Sequence, residues 1–370
     1  MGLELADVFR QYGPAYRQKF ADRLLPSHRR AMRAIEQCRT EALGGQVYYC
    51  DQCDQVQYRY HSCRNRHCPK CQQAQAQAWL AQQQTFRLPV PYFLLTFTLP
   101  AELRKLARRQ QRLFYDLLFR ASAAATQQLA RDPRFLGGQI GMLGVLHTWR
   151  RDLRYHPHVH YLVPAGGRAD DGQTWRAARR NFLLPVKALS RLFRGHFQRA
   201  LQKTADYTDV PARVWTQAWV VHCKPVGSGE TALKYLAPYI FRVALSNRRL
   251  VKVEHDQVTF RYTQAASGQT KFCTLPAEQF LHRFLQHVLP KGFVKVRYYG
   301  FFAPGSRPHL AALQQQLNRP SAEMSLPPAE TQAATVPADG RVASDSVRCP
   351  VCGRPMVVRS LLRPSARCPP

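Results

Sequence analysis

Residues 36–75 are the part of the chain that most restricts how it can fold. They hold six of the eleven cysteines and few large apolar residues, so an apolar core of their own cannot stabilise them. Cys50 and Cys53, and then Cys68 and Cys71, form two Cys-x-x-Cys pairs separated by fourteen residues. This spacing is typical of a site in which each pair holds one side of a tetrahedral zinc ion. We therefore predict one zinc ion bound by these four cysteines.

Further metal-binding side chains leave the number of zinc ions open. Three of them lie close to the two pairs and are the ligands of a possible second site: Cys38, Cys63 and His67. Near the C-terminus, Cys349-Pro-Val-Cys352 is another knuckle, and only Cys368 follows it. Because zinc takes four ligands, residues 346–370 are predicted to form an incomplete zinc knuckle.

The charge balance indicates a polyphosphate partner. The chain has 54 Lys and Arg against 23 Asp and Glu, a formal net charge of +31, and a pI near 10.3. A small-molecule substrate does not account for such an excess, whereas DNA binding through counterion release does. No apolar run has the length of a transmembrane helix, and the N-terminus does not resemble a signal peptide. We therefore expect a protein of the bacterial cytoplasm, associated with the nucleoid and not with membranes, whose cysteines bind metal or are buried thiols.

The run His156-Pro-His158-Val-His160 predicts a second, catalytic metal site. Side chains alternate along a strand, so these three histidines share one face, with neighbours roughly 6.6 Å apart. His158 and His160 flank one apolar residue, the HUH pattern, and are predicted to bind a divalent ion. The third ligand is open from the sequence, with His156 preferred over two alternatives, His147 and Asn247.

Tyr235 and Tyr239 are candidate nucleophiles. Residues four apart lie on one face of a helix, one turn from each other. A metal that neutralises a phosphate beside a tyrosine could break a DNA strand and hold it as a phosphotyrosine, which can be rejoined without ATP. Pro238 would disturb a helix interior, so the two hydroxyls need not be equivalent. Packing of both tyrosines is the alternative interpretation.

The order of elements predicts an α+β fold. Strand, helix, strand, strand, helix, strand is typical of an antiparallel, ferredoxin-like sheet. We predict an N-terminal helical and zinc-binding domain over 1–80 and a nuclease domain over 88–305. A linker rich in Pro, Ala, Ser and Thr follows over 310–345, and we expect it to be disordered.

Several stretches, in this order, resemble the transposases of rolling-circle insertion sequences, the two-tyrosine HUH class, over about residues 20–305. They read CRTEALGG, CDQC, SCRNRHCPKCQ, HPHVHYLVPAGG, KYLAPYIFRVALSNRRL and RFLQHVLPKGFVKVRYYGF. The resemblance implies an HUH endonuclease core preceded by a zinc-binding domain. It also implies that His158 and His160 bind the metal and that Tyr235 and Tyr239 are the nucleophiles.

The implied activity is nicking and rejoining of single-stranded DNA at element ends through 5′-phosphotyrosine intermediates. Expected cofactors are Mg²⁺ or Mn²⁺ at the histidines and Zn²⁺ in the N-terminal domain, with no ATP. Predicted DNA contacts are Arg64, Arg66, Lys234, Arg248 and Arg249. Alternatives are a rolling-circle replication initiator or relaxase, which would share the chemistry, and a zinc-ribbon DNA-binding protein without catalysis.

Overall fold

The computed structural model describes residues 2–228, 230–231, 244–264, 267–318 and 347–365. The chain divides into two compact units, one made of residues 1–36 and 64–318 and the other of 37–63 and 319–370. This division differs from the predicted one, since the first 36 residues join the larger unit and the C-terminal segment joins the cysteine-rich one. Across the described residues, no helix combines the length and apolarity needed to cross a membrane.

A five-stranded antiparallel sheet forms the centre of the larger unit. Its strands are β3 (Pro91–Thr98), β4 (Met142–Trp149), β5 (Tyr155–Pro164), β8 (Val221–Ser228) and β12 (Val296–Tyr299). They lie in the order β12-β4-β5-β3-β8, and every neighbouring pair is antiparallel. Two short strands after β5, β6 (Gly166–Arg168) and β7 (Trp175–Ala177), pair with each other.

Helices cover one face of this sheet and form the main apolar core with it. They are α4 (Arg104–Arg109), α5 (Gln111–Arg131), α6 (Val186–Leu201) and α7 (Arg213–Thr216). From the sheet, Phe97, Val159 and Tyr161 point into this core and are fully buried. Because side chains alternate along β5, its histidines point to the opposite face.

Strand β8 begins later than its local sequence favours. The run from Trp215 to Cys223 is rich in aromatic and β-branched residues, but Trp215 lies in the short helix α7 and the strand starts only at Val221. The reason is the burial of Trp219, whose indole N–H donates to the carbonyl of Val214 at 2.9 Å. Tertiary packing thus overrides the local preference of an aromatic and β-branched run for strand.

The remaining elements of the larger unit surround the sheet. At the N-terminal end they are α1 (Leu5–Lys19), α2 (Pro26–Gln37) and α3 (Gln72–Gln84). After β8 come β9 (Leu250–Glu254), β10 (Gln257–Thr263), β11 (Thr270–Pro276), α8 (Ala277–Leu285) and α9 (Arg307–Asn318). Residues 310–318 of the predicted linker are helical, because α9 continues to Asn318. Residues 319–346 of that linker lie outside the described residues.

The smaller unit contains a three-stranded antiparallel sheet. Its strands are β1 (Gly45–Cys50), β2 (Gln55–Tyr60) and β13 (Val357–Leu362), in the order β13-β1-β2. Strand β1 is therefore central, and one of its neighbours comes from the far end of the chain. We refer to this sheet with its cysteines as the ribbon.

Candidate active site

Three histidines meet on the face of the central sheet opposite its helices. In the register of β4 and β5, His147 lies directly across from His158, and Val145 lies across from His160. Each of His147, His158 and His160 offers one ring nitrogen, and these three atoms lie within 4.8 Å of one another. This arrangement fits one metal ion held by three imidazoles, a donor set that binds first-row divalent ions.

Hydrogen bonds fix the orientation of two of these rings. The Nδ1–H of His158 donates to the carbonyl of His156 at 2.7 Å, and Nδ1 of His160 pairs with the Thr96 hydroxyl at 2.9 Å. In each ring the other nitrogen, Nε2, is then the one presented to an ion. The His147 ring stacks on the Trp149 indole, with ring centroids 5.0 Å apart.

Burial keeps the imidazoles of His158 and His160 neutral. It lowers the pKa of His158 to about 4, and burial followed by the nearby charge of His158 lowers the pKa of His160 well below its usual value. A neutral imidazole keeps the lone pair that a cation needs. At neutral pH these two side chains are therefore in the protonation state that binds metal.

The third histidine of this group is His147 and not His156, which the sequence favoured as third ligand. Cross-strand pairing places the His147 ring against both members of the HUH pair, with centroids 5.4 Å from His158 and 4.9 Å from His160. His156 instead accepts a hydrogen bond at Nδ1 from the Arg104 guanidinium at 2.9 Å. The other alternative, Asn247, accepts the backbone N–H of Leu5 at 3.1 Å through its side-chain oxygen.

A positively charged cleft of about 530 Å³ opens beside the histidines, and His147, His156 and His158 form part of its wall. Its basic residues are Arg150, Arg151, Arg154, Arg249 and Lys271, against the single carboxylate of Asp152. That carboxylate already pairs with Arg154 at 2.6 Å. The remaining positive charge suits an extended chain of phosphates bound beside these histidines.

The ribbon has a metal-ligand group of another kind. Cys50 and Cys53 come together with Cys349 and Cys352, and the four sulfur atoms lie within 4.8 Å of one another. The sequence prediction joined Cys50 and Cys53 to the pair at Cys68 and Cys71, whereas the structure groups them with Cys349 and Cys352. The correction follows from β13, which pairs with β1 and carries the C-terminal knuckle to the end of that strand.

Comparison with known proteins identifies the family to which the chain belongs. A model of the family described as putative transposase matches residues 141–309, and a model of a transposase zinc-binding domain matches residues 8–99. "Putative transposase y4qJ" of Sinorhizobium fredii (strain NBRC 101917 / NGR234) is 42% identical over 375 residues, which cover 95% of this chain and 93% of that protein. The chain belongs to this family of transposases.

A second relative supports the same assignment. "Transposase for insertion sequence element IS801" of Pseudomonas savastanoi pv. phaseolicola is 31% identical to the transposase over 284 residues, 72% of this chain and 68% of that protein. No solved structure gives a significant match. The recognised family was thus correctly predicted from the sequence, including its N-terminal zinc-binding domain.

The predicted nucleophiles Tyr235 and Tyr239 lie outside the described residues, as do Lys234 and Pro238. The described chain leaves the central sheet at Ser228, the last residue of β8, and resumes at Ala244.

The predicted DNA contacts of the transposase fall into two groups. Arg66 is half-buried and donates to the carbonyls of Phe293 at 2.6 Å and Pro290 at 2.9 Å. Arg249 lines the cleft but also donates to the carbonyl of Arg261 at 2.9 Å. By contrast, Arg64 and Arg248 are exposed. Two of these guanidinium groups therefore have a structural role, which sequence alone did not indicate.

Of the remaining N-terminal cysteines, Cys38 and Cys63 belong to the smaller unit of the transposase, and Cys68 and Cys71 belong to the larger one. His67 is also part of the larger unit, and its Nε2 accepts the backbone N–H of Leu289 at 3.4 Å. Burial, followed by the charge of Arg66, lowers the pKa of His67 well below its usual value, so this ring is neutral. Cys368 lies outside the described residues.

Proposed function

We propose that this transposase is a rolling-circle enzyme that nicks and rejoins single-stranded DNA at the ends of its element. The observation that carries the proposal is the three-histidine group beside a basic cleft, His147, His158 and His160. A phosphate chain bound in that cleft would pass His147 and His158, which line its wall. A group of three histidines that can hold a metal ion beside a DNA-binding cleft favours catalysis over binding alone.

The topology of the sheet supports an HUH endonuclease core. Without its edge strand β12, the sheet has the order β4-β5-β3-β8, and a helical segment follows both β3 and β5 in the chain. This is the order of a ferredoxin-like split βαβ arrangement, with helices on one face. The histidines lie on the other face, where the basic cleft would bind DNA.

We assign Mg²⁺ or Mn²⁺ to the three histidines. The ion would neutralise charge on the scissile phosphate and so lower the barrier to attack. The donor set fits this role because it contributes three imidazole nitrogens and leaves positions for phosphate oxygens. Arg150, Arg151 and Lys271 would bind neighbouring phosphates and hold the strand in register.

We propose Tyr235 and Tyr239 as the nucleophiles. The oxygen of one tyrosine attacks the phosphorus, the bond to the 3′ oxygen breaks, and the strand ends as a free 3′ hydroxyl and a 5′-phosphotyrosine. The reverse attack by a 3′ hydroxyl rejoins a strand and releases the tyrosine, so bond energy is conserved and no ATP is used. Two tyrosines would let one strand be held while the next is cut.

The N-terminal domain of the transposase binds Zn²⁺ as its family assignment indicates. Cys38, Cys63, Cys68 and Cys71 all fall within the matched zinc-binding region, and Cys38, Cys68 and Cys71 are buried. Four thiolates around one zinc ion leave no open coordination position, so zinc in this domain would stabilise the fold and not act on DNA.

The test is a cleavage assay on a labelled single-stranded oligonucleotide that carries an element end, with Mg²⁺ or Mn²⁺. The wild type should form a covalent protein–DNA adduct that survives denaturing electrophoresis, and Tyr235→Phe with Tyr239→Phe should form none. Each single variant should complete less strand transfer than the wild type. An adduct formed by the double variant would refute the tyrosine assignment.

Two controls make the assay specific. His196→Gln alters a histidine on α6 that pairs with Gln128 on the helical side of the sheet, and should cleave normally. An oligonucleotide from a plasmid origin tests the replication-initiator alternative. Cleavage of that substrate in preference to the element end would replace the transposition proposal with a replication one.

A further inference from the structure

The C-terminal segment 347–365 lies beyond both matched regions, 8–99 and 141–309, and the proposed DNA chemistry gives it no role. In the structure it forms strand β13, which pairs with β1 from Gly45 to Tyr49. Ahead of that strand is the knuckle Cys349-Pro-Val-Cys352. This segment is therefore an integral part of the ribbon.

Two backbone hydrogen bonds fix the conformation of the Cys349-Pro-Val-Cys352 knuckle. In the C-terminal knuckle, the Gly353 N–H donates to the carbonyl of Cys349 at 2.9 Å, and the Cys349 N–H donates to the carbonyl of Arg354 at 2.8 Å. Gly353 has φ of +72°, a conformation that glycine adopts readily and that turns the chain back toward β1. The result is a tight turn whose two cysteines both belong to the group of four sulfur atoms.

Apolar packing alone is a weak explanation for this ribbon. Its buried cluster consists of Cys50, Val347, Cys349 and Met356, with Tyr48 and Cys53 packed against it. Along β13 the apolar side chains are largely exposed, 52% for Val357, 48% for Val358 and 71% for Leu361. A sheet of three short strands with so small a core needs another source of stability.

The spacing of the sulfur atoms identifies that source. Sγ of Cys50 and Sγ of Cys352 are 3.6 Å apart. A disulfide would bring them to about 2.05 Å. In a tetrahedron with zinc–sulfur bonds of about 2.3 Å, two sulfurs are roughly 3.8 Å apart. The four thiols are thus arranged as ligands around one ion and not as two disulfides.

We propose that Cys349 and Cys352 of the C-terminal segment bind a structural zinc ion together with Cys50 and Cys53. This site differs from the N-terminal zinc site in taking half of its ligands from outside the matched zinc-binding region. The ion joins two parts of the chain that are 302 residues apart and fixes β13 on β1. The proposal does not depend on the DNA chemistry proposed above.

The test is the zinc content of the purified full-length protein, measured by mass spectrometry of the metal. Cys349→Ser with Cys352→Ser should hold one zinc ion fewer per chain than the wild type, and so should Cys50→Ser with Cys53→Ser. All four substitutions together should remove no more than one ion. Cys273→Ser, which changes a cysteine on β11 outside both groups, should keep the wild-type content.

A conservative variant separates ligand loss from misfolding. Cys352→His keeps a zinc-binding side chain and should retain the ion, and proteolysis should find residues 347–365 as protected as in the wild type. Cys352→Ser should lose both the ion and the protection. An unchanged zinc content in the double C-terminal variant overturns the proposal, and so does equal loss of zinc in Cys273→Ser. Failure of the cleavage assay would leave these readouts unaffected.

Discussion

The histidine group of the central sheet and the cysteine group of the ribbon are both metal-ligand sets placed by β-strands, but they differ in what holds the strands. His147, His158 and His160 lie on adjacent strands of one hairpin, within fourteen residues, above a large apolar core. The cysteines come from segments 302 residues apart and surround a very small core. The central sheet is stabilised by its own apolar core and can present metal ligands without an ion. The ribbon has too small a core, so on our proposal it depends on the ion for stability.

The largest expected effect concerns the core below the histidines. Phe97 is fully buried, with its ring centroid 5.2 Å from Phe193 and 5.8 Å from Tyr161. Phe97→Ala should lower the free energy of unfolding of the larger unit by about 3–5 kcal/mol. Denaturant unfolding followed by tryptophan fluorescence measures it. Phe182→Ala, at a side chain 37% exposed, should cost much less. If Phe97→Ala also released residues 347–365 to protease, the two regions would not be independent.

A smaller effect, on activity alone, is expected from the metal ligands. His147→Ala should reduce cleavage roughly 100-fold or more, equivalent to about 2.7 kcal/mol, because the ion loses one of three ligands. His156→Gln should lose far less, since His156 contacts Arg104 and is not in the group. The melting temperature of the apo proteins should be similar. An equal loss of cleavage activity in the two variants would indicate that His156 also binds the metal.

The sequence predicts which residues of one strand share a face better than it predicts which residues of other strands join them. The alternation of His156, His158 and His160 follows from strand geometry, and the structure places all three on the face away from the helices. The third ligand depends on the register between β4 and β5, which alternation within one strand does not specify. The partners of Cys50 and Cys53 are harder to predict from the sequence. The pair Cys68 and Cys71 is close by and suitably spaced, whereas Cys349 and Cys352 are more than 290 residues away. The sequence also missed the helix over 310–318, which forms because Leu310 and Leu313 are buried.

A third prediction uses pH to probe the larger unit. His287 is fully buried, donates from Nε2 to the carbonyl of Leu153 at 3.0 Å, and has its pKa lowered by burial to about 4. The folded state therefore binds fewer protons than the unfolded one between pH 4 and the unfolded value of about 6.5. Stability should fall as pH decreases through that window, by up to about 1.4 kcal/mol per pH unit from this residue.

The measurement is the free energy of unfolding at pH 7.5 and pH 5.5, without added metal. His287→Gln should have a lower stability at pH 7.5 and a weaker dependence on pH. The exposed His309 on α9 offers a matched control, and His309→Gln should keep the wild-type dependence. An unchanged pH dependence in His287→Gln would show that other groups cause the acid sensitivity.

The smallest effect is expected in the cleft. Lys271 is exposed and lines the cleft, so Lys271→Gln should weaken binding of single-stranded DNA modestly. The slope of log affinity against log salt should fall by about 1, as for the loss of one phosphate contact. Lys203→Gln, at an exposed position outside the cleft, should leave the slope unchanged. The same slope for both variants would place the DNA on another surface.

The pairing of β13 with β1 has a consequence for synthesis of the protein. Cys50 leaves the ribosome 302 residues before Cys352, a delay of roughly 15 to 60 s at 5–20 residues per second. During that time β1 can pair with β2, but its other edge has no partner until the C-terminal segment arrives. Unpaired strand edges recruit other chains. A message cut short before codon 349 would therefore yield a protein that retains its central sheet and its histidines but carries an open, association-prone edge.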